Sequence, residues 1–219
     1  DLIGMLQIMG ENSGALFTIE NARKVVNPEQ WLSHMAVMNL FANGESGLNT
    51  GNNDDYFLYC GINDPRFILL YHDLDSILGV GSLAANTDIF RGTANPISGD
   101  TEGSWRSMAR FLHHPEIEPL YYATLRRLLD TTFSKPQFDA LIDQVLGSYV
   151  PQSNINSMKT WMDQRRTFVN ARLPAVIQAK APVAGISGVP RSPTPDTTAL
   201  LVVGGTGVTQ YRFSLNGGP

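Results

Sequence analysis

Apolar positions recur at near-helical spacing in VNPEQWLSHMAVMNLFAN, where Trp31, Met35, Met38, Leu40 and Phe41 share a face. Asn27 can cap this helix, Pro28 suits its first position and Gln30 its third, while Asn43 and Gly44 predict its end. A polar loop, GESGLNTGNNDD, follows, and the pattern then changes. YFLYCG reads as a strand, INDP as a turn and RFILLYHDLD as the partner strand, so a β-hairpin is predicted. Its second run is apolar throughout, which predicts burial on both faces. Residues 76–103 are rich in Gly, Asn, Ser and Thr and lack a period; a loop of that length is expected to be functional or a lid.

Helical patterns then dominate. WRSMARFLHH predicts a helix that stops at Pro115. EIEPLYYATLRRLLDTTF predicts another, with Leu120, Leu125, Leu128 and Leu129 inward. SKPQFDALIDQVLGSYV follows, with Ser134 and Gln137 at capping-box spacing. A long last helix covers NINSMKTWMDQRRTFVNARLPAVIQ, its stripe formed by Met158, Trp161, Met162, Phe168 and Leu173. These stripes read as core. The composition shifts after Ala179. Residues 180–194 read as a Pro/Gly/Ser/Thr linker, and residues 195–219 as the opening strands of a β-sandwich-like module, truncated and unable to close a core alone. The expected organisation is thus a body over residues 1–179, a linker and a short β-rich tail. The fold class is α+β, mainly helical. A start at Asp1 and an end within a strand-and-turn pattern suggest an internal piece of a longer protein.

Composition narrows the functional classes. The chain has 219 residues, 42% of them apolar, so a substantial core is available. Charged residues reach only 16%, with 20 Gly and 13 Pro, which favours long ordered loops or an extracellular module over a charged cytosolic surface. The net charge is -4 and no basic stripe exists; Arg165 and Arg166 are the densest spot, so nucleic-acid binding has no electrostatic footprint. No apolar run is long enough for a membrane span. The lone cysteine, Cys60, excludes an internal disulfide and reads as a small buried hydrophobe.

Carboxylates cluster around the hairpin. Asp73 and Asp75 follow the second strand, and Asn53, Asp54 and Asp55 precede the first. They can be turn and cap residues, or they can converge on one hard divalent cation. Magnesium needs only one or two carboxylates besides water and phosphate oxygens, an arrangement suited to phosphoryl transfer. Calcium held for stability alone is a further possibility. HHPE, from His113 to Glu116, is broken by Pro115 and is no zinc-helix motif. GESG follows a helix and so is no nucleophile elbow. His34 reads as a structural helix residue, and no Walker-type loop or EF-hand occurs.

The order of these pieces resembles the CotH kinase family over about residues 31–173. The resemblance rests on QWLSHMAVMNLF for the Trp-containing helix, DDYFLY for an Asn-rich strand, HDLDSILG for a WDLD element with a nearby glycine, and DQRRTFVNARL for a late R..F element. It implies a kinase-like C-terminal lobe and ATP- and magnesium-dependent phosphorylation of a protein hydroxyl. It also implies Asp73 as the leading magnesium ligand, Asp75 as a second, and Asp54 or Asp55, with Asn53 adjacent, in support. Glu45 maps onto the acidic residue that orients the acceptor hydroxyl. The departures are His72 for Trp, Glu45 for Asp, Asp54 and Asp55 for an Asn pair, and no strand lysine upstream, where Lys24 is the sole lysine. The rival expectation is a non-catalytic extracellular or bacterial cell-surface protein that keeps the fold and assembles with neighbouring chains through its β-module.

Overall fold

The computed structural model describes residues 1–45, 56–81, 83–91, 93, 106–174, 185–187 and 202–204. In chain order these form α1 (Leu2–Met9), a 3-10 turn (Glu11–Leu16), α2 (Ile19–Val25), α3 (Pro28–Leu40), β1 (Tyr56–Cys60) and β2 (Phe67–Tyr71). There follow α4 (Arg106–Leu112), α5 (Glu118–Asp130), α6 (Lys135–Leu146), α7 (Gln152–Arg172), β3 (Gly185–Ser187) and β4 (Val202–Gly204). The architecture is mainly helical with a small antiparallel hairpin, as the pattern predicts. Asn53, Asp54 and Asp55 lie outside the described residues.

Helix α3 is the organising element. Its start follows from local chemistry: the Asn27 side chain accepts from the Gln30 amide at 3.1 Å, and Pro28 occupies the first turn. The Gln30 side chain then reaches out to β2. Its Nε2 donates to the Leu69 carbonyl at 2.6 Å and its Oε1 accepts from the Leu69 amide at 2.8 Å. The Trp31 indole and the Asn27 amide both donate to the Phe67 carbonyl, at 2.8 and 3.1 Å. These bonds satisfy β2 on the edge that β1 leaves open. Trp31, Leu32 and Met35 carry α3 into one core with Phe111, Leu112, Tyr121, Leu125, Ile155, Met162 and Val169, all buried.

The hairpin pairs Tyr56 with Tyr71 and Cys60 with Phe67. Burial on both faces of β2 does not occur. Phe67 and Leu69 are buried against α3, but Leu70 and Tyr71 are exposed, because only one layer, not two, covers this sheet. Cys60 is also exposed rather than buried: β1 is an edge strand, and its thiol lies 3.1 Å from the Pro65 carbonyl at the turn. Ser134 precedes α6 as predicted but makes no side-chain capping bond.

Two features fix the end of α3. Asn43 donates to Met38 O at 3.1 Å and Ala42 to Asn39 O at 2.9 Å, a Schellman arrangement whose left-handed residue is Ala42 (φ 44°) rather than a residue of the Asn43–Gly44 pair. Arg165, fully buried on α7, then clamps the same turn. It donates to the Asn39 carbonyl at 2.8 and 3.1 Å, to Asn39 Oδ1 at 2.9 Å, and to the carbonyls of Ala85 and Thr87 at 3.0 and 2.5 Å. Burial lowers its pKa to about 10, so it stays charged at neutral pH. The first part of the long loop is therefore anchored to the end of α3, and residues 94–103 of it lie outside the described residues. Leu83 donates to Ala42, and the Ile89 carbonyl accepts from Asn39 and Tyr121. At the far end of the chain, β3 pairs antiparallel with β4; β3 falls within the stretch read as a linker.

Candidate active site

The hairpin register brings the exit of β2 to the same end as the entry of β1. Beyond Tyr71 the chain turns sharply. Asp73 adopts φ 40°, Leu78 φ 57°, Gly79 φ 91° and Gly81 φ 65°. A left-handed conformation costs a non-glycine residue about 1 kcal/mol or more. Among the described residues the non-glycine positions with positive φ are Ala42, Asp73 and Leu78. All three border this corner, two in the acidic loop and one in the turn that delivers Glu45.

The loop winds back on itself. A Cβ at Gly81 would come within 3.0 Å of Ser76 Oγ, and a Cβ at Gly79 within 3.0 Å of the Trp161 ring. Glycine is required at both positions by conformation and by contact. Ser76, buried at the centre, donates its hydroxyl proton to Glu45 Oε2 at 2.5 Å, and its oxygen also lies 3.2 Å from Asp75 Oδ1. One hydroxyl carries one proton, so the shorter contact takes it. The Asn43 side chain accepts from the Glu45 amide at 2.8 Å and orients the backbone from the other side.

Of the residues expected at the site, Glu45 and Asp75 therefore meet through Ser76, although Glu45 and Ser76 are 31 positions apart. Asp73 and Asp75 are exposed, and neither has a basic partner among the described residues. No group of three His, Cys, Asp or Glu side chains among the described residues is arranged to hold a metal. His72, standing where the family pattern has Trp, packs edge-on against Phe57 with ring centres 4.7 Å apart. His34 is buried beneath this corner and stacks on Tyr71 at 4.4 Å, with both ring nitrogens unpaired; burial lowers its pKa to about 4. It is thus a neutral structural residue, as its place on a helix implies.

A family model described as CotH kinase protein matches residues 11–159. The chain belongs to the CotH kinase family. The match extends upstream of Trp31 into the 3-10 turn and α2, and it ends before Arg165 and Phe168, so the late R..F element lies beyond it. Neither the curated proteins nor the solved structures include a match. In this CotH-family chain, sequence reasoning missed Ser76, Arg165 and Gln30. Ser76 carried a weak signal, lying directly after Asp75. Arg165 carried the R..F pattern, but nothing local revealed that its guanidinium is buried. No helix among the described residues is long and apolar enough to cross a membrane.

Proposed function

We propose that the protein, in its intact parent, transfers phosphate from ATP to a protein hydroxyl with magnesium at the Asp73–Asp75 loop. The observation that carries this reading is the concentration of backbone strain around carboxylates that have no basic partner among the described residues. Strain of this kind persists where surrounding structure enforces it, and it gathers at functional sites.

The donor set fits magnesium: exposed, oxygen-only and few, leaving room for water and phosphate oxygens. Asp73 and Asp75 would hold the ion, with Asp54, Asp55 or Asn53 in support. Bound magnesium would neutralise charge on the phosphates. Glu45 would accept the hydrogen bond of the acceptor hydroxyl through the carboxylate oxygen that Ser76 leaves free. The Ser76 bond also compensates for the longer side chain, since a tethered glutamate samples fewer positions than a free one. Calcium for stability alone would require six to eight oxygen ligands at this loop, where magnesium requires only one or two carboxylates besides water and phosphate oxygens.

One observation favours the rival reading, a non-catalytic surface protein. Lys24 lies on α2 and bonds Glu20 and Asn21, so no strand lysine is available to grip phosphate among the described residues. The β-rich tail supports an extracellular or cell-surface setting and assembly with neighbouring chains. Calorimetric titration of magnesium-ATP, beside the Asp73→Asn, Asp75→Asn double variant, separates the two. Binding by the native chain alone sustains the kinase reading. Silence from both, repeated on a chain extended upstream, moves the conclusion to the surface protein.

A further inference from the structure

The bonds made by β2 fix which way each residue of the hairpin points its backbone. Leu69 gives both its N–H and its C=O to the Gln30 side chain, and the Phe67 carbonyl accepts from Asn27 and Trp31. In an antiparallel ladder the backbone groups of one residue point to one side, and the side alternates along the strand. Ile68 and Leu70 therefore bond β1, through Tyr59 and Phe57, their partners in register. Tyr56, Leu58 and Cys60 must then direct their N–H and C=O groups to the opposite edge of β1. Among the described residues no backbone bond is made at that edge.

The two edges of the hairpin are thus treated differently. That of β2 is covered by α3, with Gln30 standing in for a neighbouring strand. Edges left open are normally defended by Lys, Pro, a bulge or a covering element. β1 reads YFLYC: it has no charge and no proline, and its register with β2 is unbroken from Tyr56 to Cys60. Phe57, Leu58, Tyr59 and Cys60 are exposed. The residues that offer backbone groups outward are also symmetric about Leu58, so the edge is complementary to itself.

We propose that the β1 edge is a self-association surface, on which β1 of a second copy of this chain pairs antiparallel about a two-fold axis at Leu58. Leu58 then faces Leu58, and Tyr56 and Cys60 face one another, each pair exchanging both backbone bonds. Any other centre leaves some of these groups unmatched. On the outer face Phe57 meets Tyr59 of the second copy at the closer, non-hydrogen-bonded sites, where aromatic pairs are favourable. Charge selects the same orientation. Each acidic loop, with Asp73 and Asp75, lies beside the distal turn of the other copy, where Asp64 and Arg66 neutralise one another. A parallel arrangement would set the two acidic loops side by side. A five-residue edge buries only about 800 Å² in total, so the association is weak, with a Kd of about 0.1–1 mM. In dilute solution the single chain prevails and Cys60 keeps its exposure. The proposal uses neither the metal-binding carboxylates nor the β-rich tail, and it stands apart from the kinase reading.

The test follows the full chain, 15N-labelled, by NMR and sedimentation from about 20 μM to about 1 mM. The amide protons of Tyr56, Leu58 and Cys60 should move downfield with concentration, while those of Phe57 and Tyr59, already bonded to β2, should move far less. Leu58→Lys and Leu58→Glu should each weaken association at least about fivefold, because like charges meet at the axis, and an equimolar mixture of the two should restore it. A native chain still monomeric at about 1 mM, or association without the alternating shifts, would overturn the proposal. So would folded variants that associate as well as the native chain, or whose mixture gains nothing. The alternating shifts are read on the native chain, so they decide the matter even where a variant fails to fold.

Discussion

The two ends of the hairpin both carry acidic turns, and they are built on opposite terms. At the distal turn Asp64 is locked by its neighbour: Arg66 holds both carboxylate oxygens, with contacts of 2.7 to 3.2 Å, and the Arg66 amide adds a bond at 3.1 Å. The Arg66 hydrogen bond holds the Asp64 carboxyl below its ordinary pKa. At the proximal loop Asp73 and Asp75 have no such arginine among the described residues, and the backbone there is strained at Asp73 and Leu78. A turn that exists to reverse the chain supplies its own counter-charge. The loop after β2 instead keeps its carboxylates exposed on a strained backbone.

The largest effect should come from neutralising each turn in parallel. Asp73→Asn with Asp75→Asn should weaken magnesium-ATP binding by about 100-fold or more, near 3 kcal/mol. Asp64→Asn should leave it within about twofold, while weakening a part-exposed ion pair worth about 1 kcal/mol or less. Calorimetry reads both. Equal effects at the two turns would erase the contrast.

The proximal end also rests on a buried neutral imidazole, and this gives it a pH dependence. The unfolded chain protonates His34 near 6.5, the folded chain only near 4, so the unfolded state binds the extra proton between those values. Stability from this group is intact above pH 6.5, falls as pH drops toward 4 and levels off below. The full loss is roughly 3 kcal/mol. His34→Phe, which keeps a ring against Tyr71, should remove that slope from the difference between native and variant in urea unfolding. A native chain whose stability is flat from pH 6.5 to 5 would show that the imidazole can reach a partner.

Local signals made much of this legible. Asn27 and Pro28 start α3 where cap chemistry says, the INDP turn joins β1 to β2, and the leucines of α5 point inward because each depends on neighbours a few positions away. The HDLD stretch was readable because its residues are contiguous. Glu45 reaches the site only through Ser76, a contact set by how α3 lies on the hairpin, and no spacing rule encodes that. Arg165 shows the limit most clearly. In a run reading DQRRT it looks like a solvated basic spot, yet it is fully buried, because the end of α3 and the 85–87 loop present carbonyls that only a guanidinium can gather. Exposure of Cys60 and Leu70 was missed for a related reason: apolar content predicts burial only where a second layer exists to supply it.

Glycine substitutions should move the two turns in opposite directions. Asp73→Gly removes a left-handed non-glycine residue and should raise stability by about 1 kcal/mol while reducing metal binding. Asp64→Gly removes the Arg66 pair and adds chain entropy, and should lower stability by about 1 kcal/mol. Urea midpoints at constant slope would report both. A destabilised Asp73→Gly chain would mean the loop is held by the carboxylate rather than strained around it.

The smallest effect belongs to Cys60, at the distal end of β1. Its thiol is exposed and contacts only backbone carbonyls, at 3.1 and 3.9 Å, within its own turn. Cys60→Ser keeps a donor of similar size at that place, so the change in stability should stay within about 0.5 kcal/mol. The folded chain should also react with a thiol reagent at nearly the rate of the unfolded chain, since the thiol is exposed. A protected thiol would mean that the outer edge of β1 is covered in solution. The distal turn would then be an interface rather than a free chain reversal, and its self-supplied counter-charge would need a different explanation from the one that separates it from the proximal loop.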